Sequence, residues 1–192
     1  MVRLLVTGSP GVGKTTIAIE LSKIYNAPLI DVDEVIKPLL RWDDRLQTNY
    51  IIDETKARDL IMRKLSNLEL FIIDTIAVNL IDRSLIDWCI VLRLNPIQLM
   101  QRLLMRGWPR CKVIENVLAE IVGSSLSMAI DTFGKDRIIE VDTSNKGVGE
   151  VVKYIVDHLS SGVPNVGVVD WFDTLSTDLL ISLSEEMDKC LT

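Results

Sequence analysis

Gly8-Ser9-Pro10-Gly11-Val12-Gly13-Lys14-Thr15 fits the pattern G-x-x-x-x-G-K-[ST], the phosphate-binding loop, and its reading decides the fold. The glycines leave room for consecutive backbone N–H groups to point at phosphate oxygens. Lys14 adds a point charge, and the Thr15 hydroxyl stands where it can reach Mg²⁺. A nucleoside triphosphate, ATP by default, is the ligand such a loop takes. Residues 2–6 read as an apolar strand before the loop. After it, Ile17, Ala18, Leu21, Ile24 and Tyr25 recur at helical spacing, so the positive end of a helix faces the phosphates. The alternative, an ordinary Gly-rich strand-to-helix turn, is weighed against the specificity of the whole motif.

Outward from the loop, strand and helix periods alternate in the order of a parallel sheet covered on both faces, an α/β fold. Further strands are expected over residues 28–31, 68–73, 88–94 and 137–141. Asp31 or Asp33 can cap a short helix through Val35, Ile36 and Leu39, and a polar stretch, residues 42–50, separates it from a helix over 54–65. Asn95-Pro96 is an N-cap followed by proline at the first helical position, opening a helix to Arg106 that Gly107 stops. One longer helix is expected from Lys112 through Val117, Ile121, Leu126 and Ile130 to Gly134, and a closing helix carries Val148, Val151, Val152, Ile155 and Leu159. Ser160-Ser161-Gly162-Val163-Pro164 then breaks the pattern, so residues 163–192 form a separable extension. Its apolar stripe, Leu175, Leu179, Leu180, Leu183, Met187 and Leu191, must be buried on its own domain, on a partner or on a second copy.

With 192 residues, 48% of them hydrophobic, the chain suits one domain plus a small appendage. No run reaches the ~18 apolar residues a membrane span requires, and a soluble, cytoplasmic protein is expected. Cys89, Cys111 and Cys190 are far apart with no CxxC spacing, so neither a disulfide framework nor a zinc site is suggested and reduced packing cysteines are expected. A net charge of −6 argues against a broad nucleic-acid surface and favours a basic partner.

Asp74, after the apolar run Leu70-Phe71-Ile72-Ile73, is placed to hold Mg²⁺ beside Thr15, although a strand-terminal Asp also serves as a turn or cap. Arg102 and Arg106 lie four apart on one helical face. They can close over a phosphoryl group as negative charge spreads, or stay solvated, with Arg106 complementing the helix dipole.

The loop, Asp74, and above all Arg102-Leu103-Leu104-Met105-Arg106-Gly107-Trp108 followed by Lys112, Glu115-Asn116 and Glu120, resemble the atypical adenylate kinase isoenzyme 6 family, in an archaeal-type form. The resemblance covers roughly residues 3–159. It implies a P-loop NTPase of nucleoside monophosphate kinase type: a five-stranded parallel sheet with helices on both faces, a monophosphate-binding segment over 30–53, a short lid over 106–116, and a kinase domain over 1–162. It implies adenylate or broad-specificity kinase activity with ATP hydrolysis, a role in late maturation of the small ribosomal subunit, and binding of ribosomal protein uS11. Carried over by position, Gly11, Gly13, Lys14, Thr15, Thr16, Arg106 and Asn145 bind ATP; Asp33, Lys37 and Asp53 serve the monophosphate; Thr15 and Asp74 serve Mg²⁺; Lys14, Arg102, Arg106 and Asp74 carry catalysis. Two departures stand out. Lys37 replaces a usual arginine and loses its planar fork. Asp74-Thr75-Ile76 lacks the family's frequent Asp-x-His, so no imidazole is offered to activate water. The chain's single histidine, His158, is expected to pack or face solvent. Two other functions stay open: a nucleotide-switched assembly factor with little turnover, and a small-metabolite kinase, which the lid motif disfavours.

Overall fold

Alternate residues of β1 (Arg3–Gly8) bury on opposite faces, Leu4 and Val6 in one core and Leu5 in another. A strand buried on both sides needs a layer above and a layer below. The computed structural model describes residues 2–44 and 47–191, and it supplies both layers. Met1, Arg45, Leu46 and Thr192 lie outside the described residues, as does the side chain of Leu191.

The chain continues through α1 (Lys14–Tyr25), β2 (Leu29–Asp31), α2 (Val32–Ile36), a 3₁₀ turn, β3 (Leu40–Asp43), β4 (Thr48–Ile51), α3 (Glu54–Leu65), β5 (Phe71–Asp74) and β6 (Trp88–Arg93). Then come α4 (Pro96–Met105), α5 (Arg110–Ile121), α6 (Ser124–Phe133), β7 (Ile138–Asp142), α7 (Val148–Ser161), α8 (Trp171–Thr174) and α9 (Thr177–Leu191). The main sheet has the order β2-β5-β1-β6-β7 with every pairing parallel. This is the five-stranded α/β arrangement expected from the sequence. One core gathers α1, α4, α5, α7 and the extension over one face; the other gathers α2, α3 and α6 over the opposite face.

Asp31 caps α2, and Asn95 caps α4 with Pro96 at its first position, as their residue types predict. Three local expectations are corrected. The polar stretch 42–50 contributes to an antiparallel hairpin, β3 with β4, in which Leu40 faces Ile51. The helix expected over 112–134 is two helices. Gly123 adopts a left-handed φ of +69°, the axes of α5 and α6 differ by 53°, and α5 packs on one face of the sheet while α6 packs on the other. A single straight helix could not serve both cores. Cys111 and Cys190 form a disulfide, with Cα atoms 5.6 Å apart across 79 residues of chain. Packing of α9 against α5 brings them together, which linear spacing does not report. Cys89 is a free, buried packing cysteine, and burial pushes its thiol well above the ordinary range.

Among the described side chains, the extension's stripe packs on its own domain, Leu175 and Leu183 buried and Leu179, Leu180 and Met187 partly so. Trp171, Leu175 and Leu183 join the core that covers the α5 face, and Asn165 pairs with the β7 edge through its backbone. Arg110 adds a two-pronged ion pair to Glu186 on α9. Among the described residues no single helix is long and apolar enough to cross a membrane.

Candidate active site at the phosphate loop

Steric limits fix the loop first. A Cβ on Gly8, at φ +140°, would lie 2.4 Å from the Leu92 carbonyl oxygen, and one on Gly11, at φ +95°, would lie 2.9 Å from Leu103. Only glycine permits this close approach. Lys14 opens α1 and its ammonium donates to the Ser9 carbonyl at 3.2 Å, which folds the side chain back over the loop. Burial pushes the Lys14 pKa down; Asp74 and Asp33 oppose that shift and Arg106 adds to it. These groups therefore share one electrostatic site.

Asp74 ends β5 beside Asp31, which ends β2 in register with it. The Thr15 hydroxyl donates to Asp74 Oδ2 at 2.5 Å. Burial raises the Asp74 pKa, with the Thr15 bond and Lys14 opposing and Asp31 adding to the rise. Asp33 is also raised, by burial first and then by Asp31 and Asp74. Crowded carboxylates beside a hydroxyl are hard oxygen donors with excess negative charge, and that chemistry fits Mg²⁺. Among the described residues no cluster of three or more ligating side chains could hold a metal unaided. Thr15 and Asp74 thus suit an ion whose other positions go to phosphate oxygens and water.

Arg102 Nη1 lies 3.4 Å from the Gly11 carbonyl, and Arg106 ends α4 exposed, ahead of Gly107 in a left-handed turn. Two cavities flank the loop. A small one, about 120 Å³, is lined by Val12, Gly13, Thr16, Arg102, Thr143 and Lys146. A larger cleft, about 680 Å³, opens beside Gly8-Ser9-Pro10 between the hairpin residues Trp42 and Asn49 and the segment carrying Trp108, Lys112 and Asn116. Ile76 also lines it. Asn145 adopts a left-handed φ of +55° and accepts from Gln98 Nε2 at 2.7 Å, so its amide oxygen is tied to α4. Lys37 pairs with Glu34 at 3.0 Å. Asp53 caps α3 by accepting from the Lys56 backbone N–H. His158 contacts the Tyr154 carbonyl and stacks on that ring, on α7.

A family model described as an AAA domain matches residues 4–123. A protein from Saccharolobus solfataricus named "Putative adenylate kinase" is 33% identical over 191 residues, covering 98% of this chain and 96% of its own. A protein of the same name from Sulfurisphaera tokodaii is 37% identical over 186 residues, covering 95% and 93%. The chain belongs to this adenylate-kinase-like family. A gluconokinase structure from Sinorhizobium meliloti superposes with a TM-score of 0.53 at 17% identity, covering 83% of this chain and 92% of that one, and shares the P-loop kinase fold.

In this adenylate-kinase-like chain the domain match ends at residue 123, yet the loop's support continues beyond it. Arg93, at the end of β6, donates through Nε to Glu120 at 2.8 Å and through Nη1 to Glu140 at 2.7 Å, all three side chains being buried. Glu120 accepts from the Ser9 hydroxyl at 2.6 Å and from Trp171 Nε1 at 3.0 Å. Glu140 accepts from the backbone N–H groups of Gly167 and Val168. The sequence carries one signal of this network: Arg93 and Glu140 are charges inside apolar strand runs, which demand partners once buried.

Proposed function

We propose that the protein transfers the γ-phosphoryl group of ATP to a nucleoside monophosphate, AMP among them, giving ADP and a nucleoside diphosphate. One observation carries this reading. The cleft beside the loop is lined by both segments expected to hold and cover an acceptor, 30–53 and 106–116, and its roughly 680 Å³ is the size of a small-ligand site. The names of the relatives support the same activity. In the reaction the bond from the γ-phosphorus to the β–γ bridging oxygen breaks as a bond to an acceptor phosphate oxygen forms. Negative charge spreads over the transferred group, and Lys14, Arg102 and Arg106 are the cations that would meet it in this reading. Trp42 and Trp108 line the cleft and are the aromatic side chains on which an acceptor base would stack. Thr15 and Asp74 would hold Mg²⁺, which would supply neutralising charge to the phosphates. With Ile76 in place of an imidazole, hydrolysis of ATP is a side activity slower than transfer.

The test is to incubate the pure protein with Mg²⁺, ATP and each monophosphate in turn, and to follow ADP and diphosphate formation. Diphosphate should form only with an acceptor present, and ADP should form more slowly without one. Lys14→Ala should abolish nearly all transfer while keeping the fold. Absence of diphosphate with every acceptor, or full turnover in Lys14→Ala, overturns the reading. A second reading is supported by the net charge of −6 and by the isoenzyme 6 resemblance. In it, a cytoplasmic factor in late maturation of the small ribosomal subunit or its precursor binds a basic protein such as uS11, with nucleotide state governing the lid.

A further inference from the structure

Glu120 is 1% exposed, and its carboxylate is held entirely by protein donors. Oε1 accepts from Arg93 Nε at 2.8 Å, from the Leu94 N–H at 3.2 Å and from Trp171 Nε1 at 3.0 Å; Oε2 accepts from the Ser9 hydroxyl at 2.6 Å. Arg93 is shared with Glu140, so one guanidinium serves two buried carboxylates. Neither carboxylate has the guanidinium to itself, so the neutral donors matter to Glu120, because a buried carboxylate short of partners is costly. Ser9 is one such donor and also belongs to the phosphate loop. Its backbone carbonyl accepts from the Lys14 ammonium at 3.2 Å and from the Val12 N–H at 3.3 Å. A continuous chain of polar contacts thus runs from Trp171, in the C-terminal segment, through Glu120 and Ser9 to Lys14.

We propose that Glu120 is a positioning residue for the phosphate loop and that Trp171 sets it, so the C-terminal segment tunes phosphoryl transfer through a single shared carboxylate. The proposal rests on the kinase reading for its activity readout, though not for its binding readout. Removing either neutral donor leaves the carboxylate to redistribute among the others. The Ser9 backbone shifts with it, and with Ser9 shifts the carbonyl that holds Lys14. Displacements of this kind cost rate even when the fold persists.

The test is a double-mutant cycle in the full-length chain. Ser9→Ala removes only the hydroxyl, and Trp171→Phe keeps a ring in the packed position while removing the N–H. Each variant is assayed well below its melting temperature for kcat, KM and the ATP dissociation constant. Each single change should lower kcat by about five-fold or more, and the double variant should lose about as much as the worse single one, because both act on the same carboxylate. Leu183→Ala, which loosens the packing of α9 and removes none of the hydrogen-bond donors to Glu120, should lower the melting temperature and leave kcat unchanged. Wild-type kcat and ATP affinity in Trp171→Phe, losses that multiply independently in the double variant, or an equal loss of kcat in Leu183→Ala would each overturn the proposal. If the wild type transfers to no monophosphate, the kinase reading fails alone, and the same cycle read in ATP dissociation constants still decides the positioning role.

Discussion

At Asp74, the proposed metal role and stability pull in opposite directions. Burial raises its pKa, and the neighbouring Asp31 adds to the rise, while the Thr15 hydroxyl and Lys14 return only part of the cost. The folded state therefore binds a proton more readily at this position than the unfolded chain does. By linkage, stability contributed here is present below the unfolded carboxylate range and is lost as pH climbs through the folded value, so at neutral pH the ionised group destabilises the protein. Asp74→Asn is uncharged at every pH. It should melt a few degrees, roughly 2–4 °C, above the wild type at neutral pH, and the gap should close in acid, while the variant loses nearly all Mg²⁺-dependent transfer. Calorimetric melting at the two pH values checks this; a neutral-pH melting temperature at or below that of the wild type contradicts it. Asp74 and Thr15 were legible in the sequence as a pair, because motif and strand end are both local signals. The adjacent Asp31 was legible only as a cap. Its register with Asp74 is set by the order β2-β5-β1, a property of the sheet.

The elements themselves show where local pattern suffices and where it stops. Strands buried on both faces read as near-continuous apolar runs, and Asn95-Pro96 marks a helix start, so the sheet and α4 could be read directly. The hairpin could not, because Trp42 and Tyr50 are both half or more exposed and no period-2 pattern arises without a buried face. The bend at Gly123 leaves only a faint mark. Val117 to Ile121 and Leu126 to Ile130 each keep the four-residue helical step, and only the five-residue step between them signals that the two halves bury on opposite sides of the sheet. At the other end of α5, Cys111 fastens α9 to the segment proposed as the lid, within which it lies. Closing a loop of 79 residues is worth about 4.5 kcal/mol in the chain-entropy account, so Cys190→Ser should lower the melting temperature by roughly 10 °C or more. Reductant should reproduce that fall in the wild type and leave the variant unmoved. A melting temperature indifferent to both means that the apolar seam and the Arg110–Glu186 pair alone hold α9. The turn between α4 and α5 makes a kinetic prediction. Arg106 is exposed, yet it lies close enough to Lys14 to depress its pKa, as expected of a cation that completes the site on closure. Arg106→Ala should lower kcat by about tenfold or more, ~1.4 kcal/mol in the barrier, with a smaller rise in the KM for ATP. An unchanged kcat returns Arg106 to a solvated helix end.

Charge on the scale of the whole molecule bears on partners more than on fold. The chain has 27 acidic and 21 basic residues, and the buried cluster of Arg93, Glu120 and Glu140 takes two of those carboxylates and one cation out of reach of any partner. The remaining excess of acid lies elsewhere, as a field that attracts cations at a distance and repels polyanions such as naked RNA. A complex with a basic ribosomal protein, the partner in the second proposed reading, should therefore form quickly at low salt and weaken as added salt shortens the screening length below ~10 Å. Nucleotide acts on that complex only if the partner distinguishes two states of the protein, since a ligand shifts an equilibrium by no more than its differential affinity. The 106–116 segment is the element expected to differ between those states. It lines the cleft beside the loop and is anchored by α5 to the same α9 that the disulfide holds. Titrating uS11 by calorimetry at low and high salt, with and without ATP, should show affinity that falls with salt and changes several-fold with nucleotide. Affinity independent of nucleotide would separate binding from the lid and leave charge alone as the cause. Heat of mixing indistinguishable from dilution under every condition would remove the assembly reading and leave a nucleotide kinase whose acidity serves solubility.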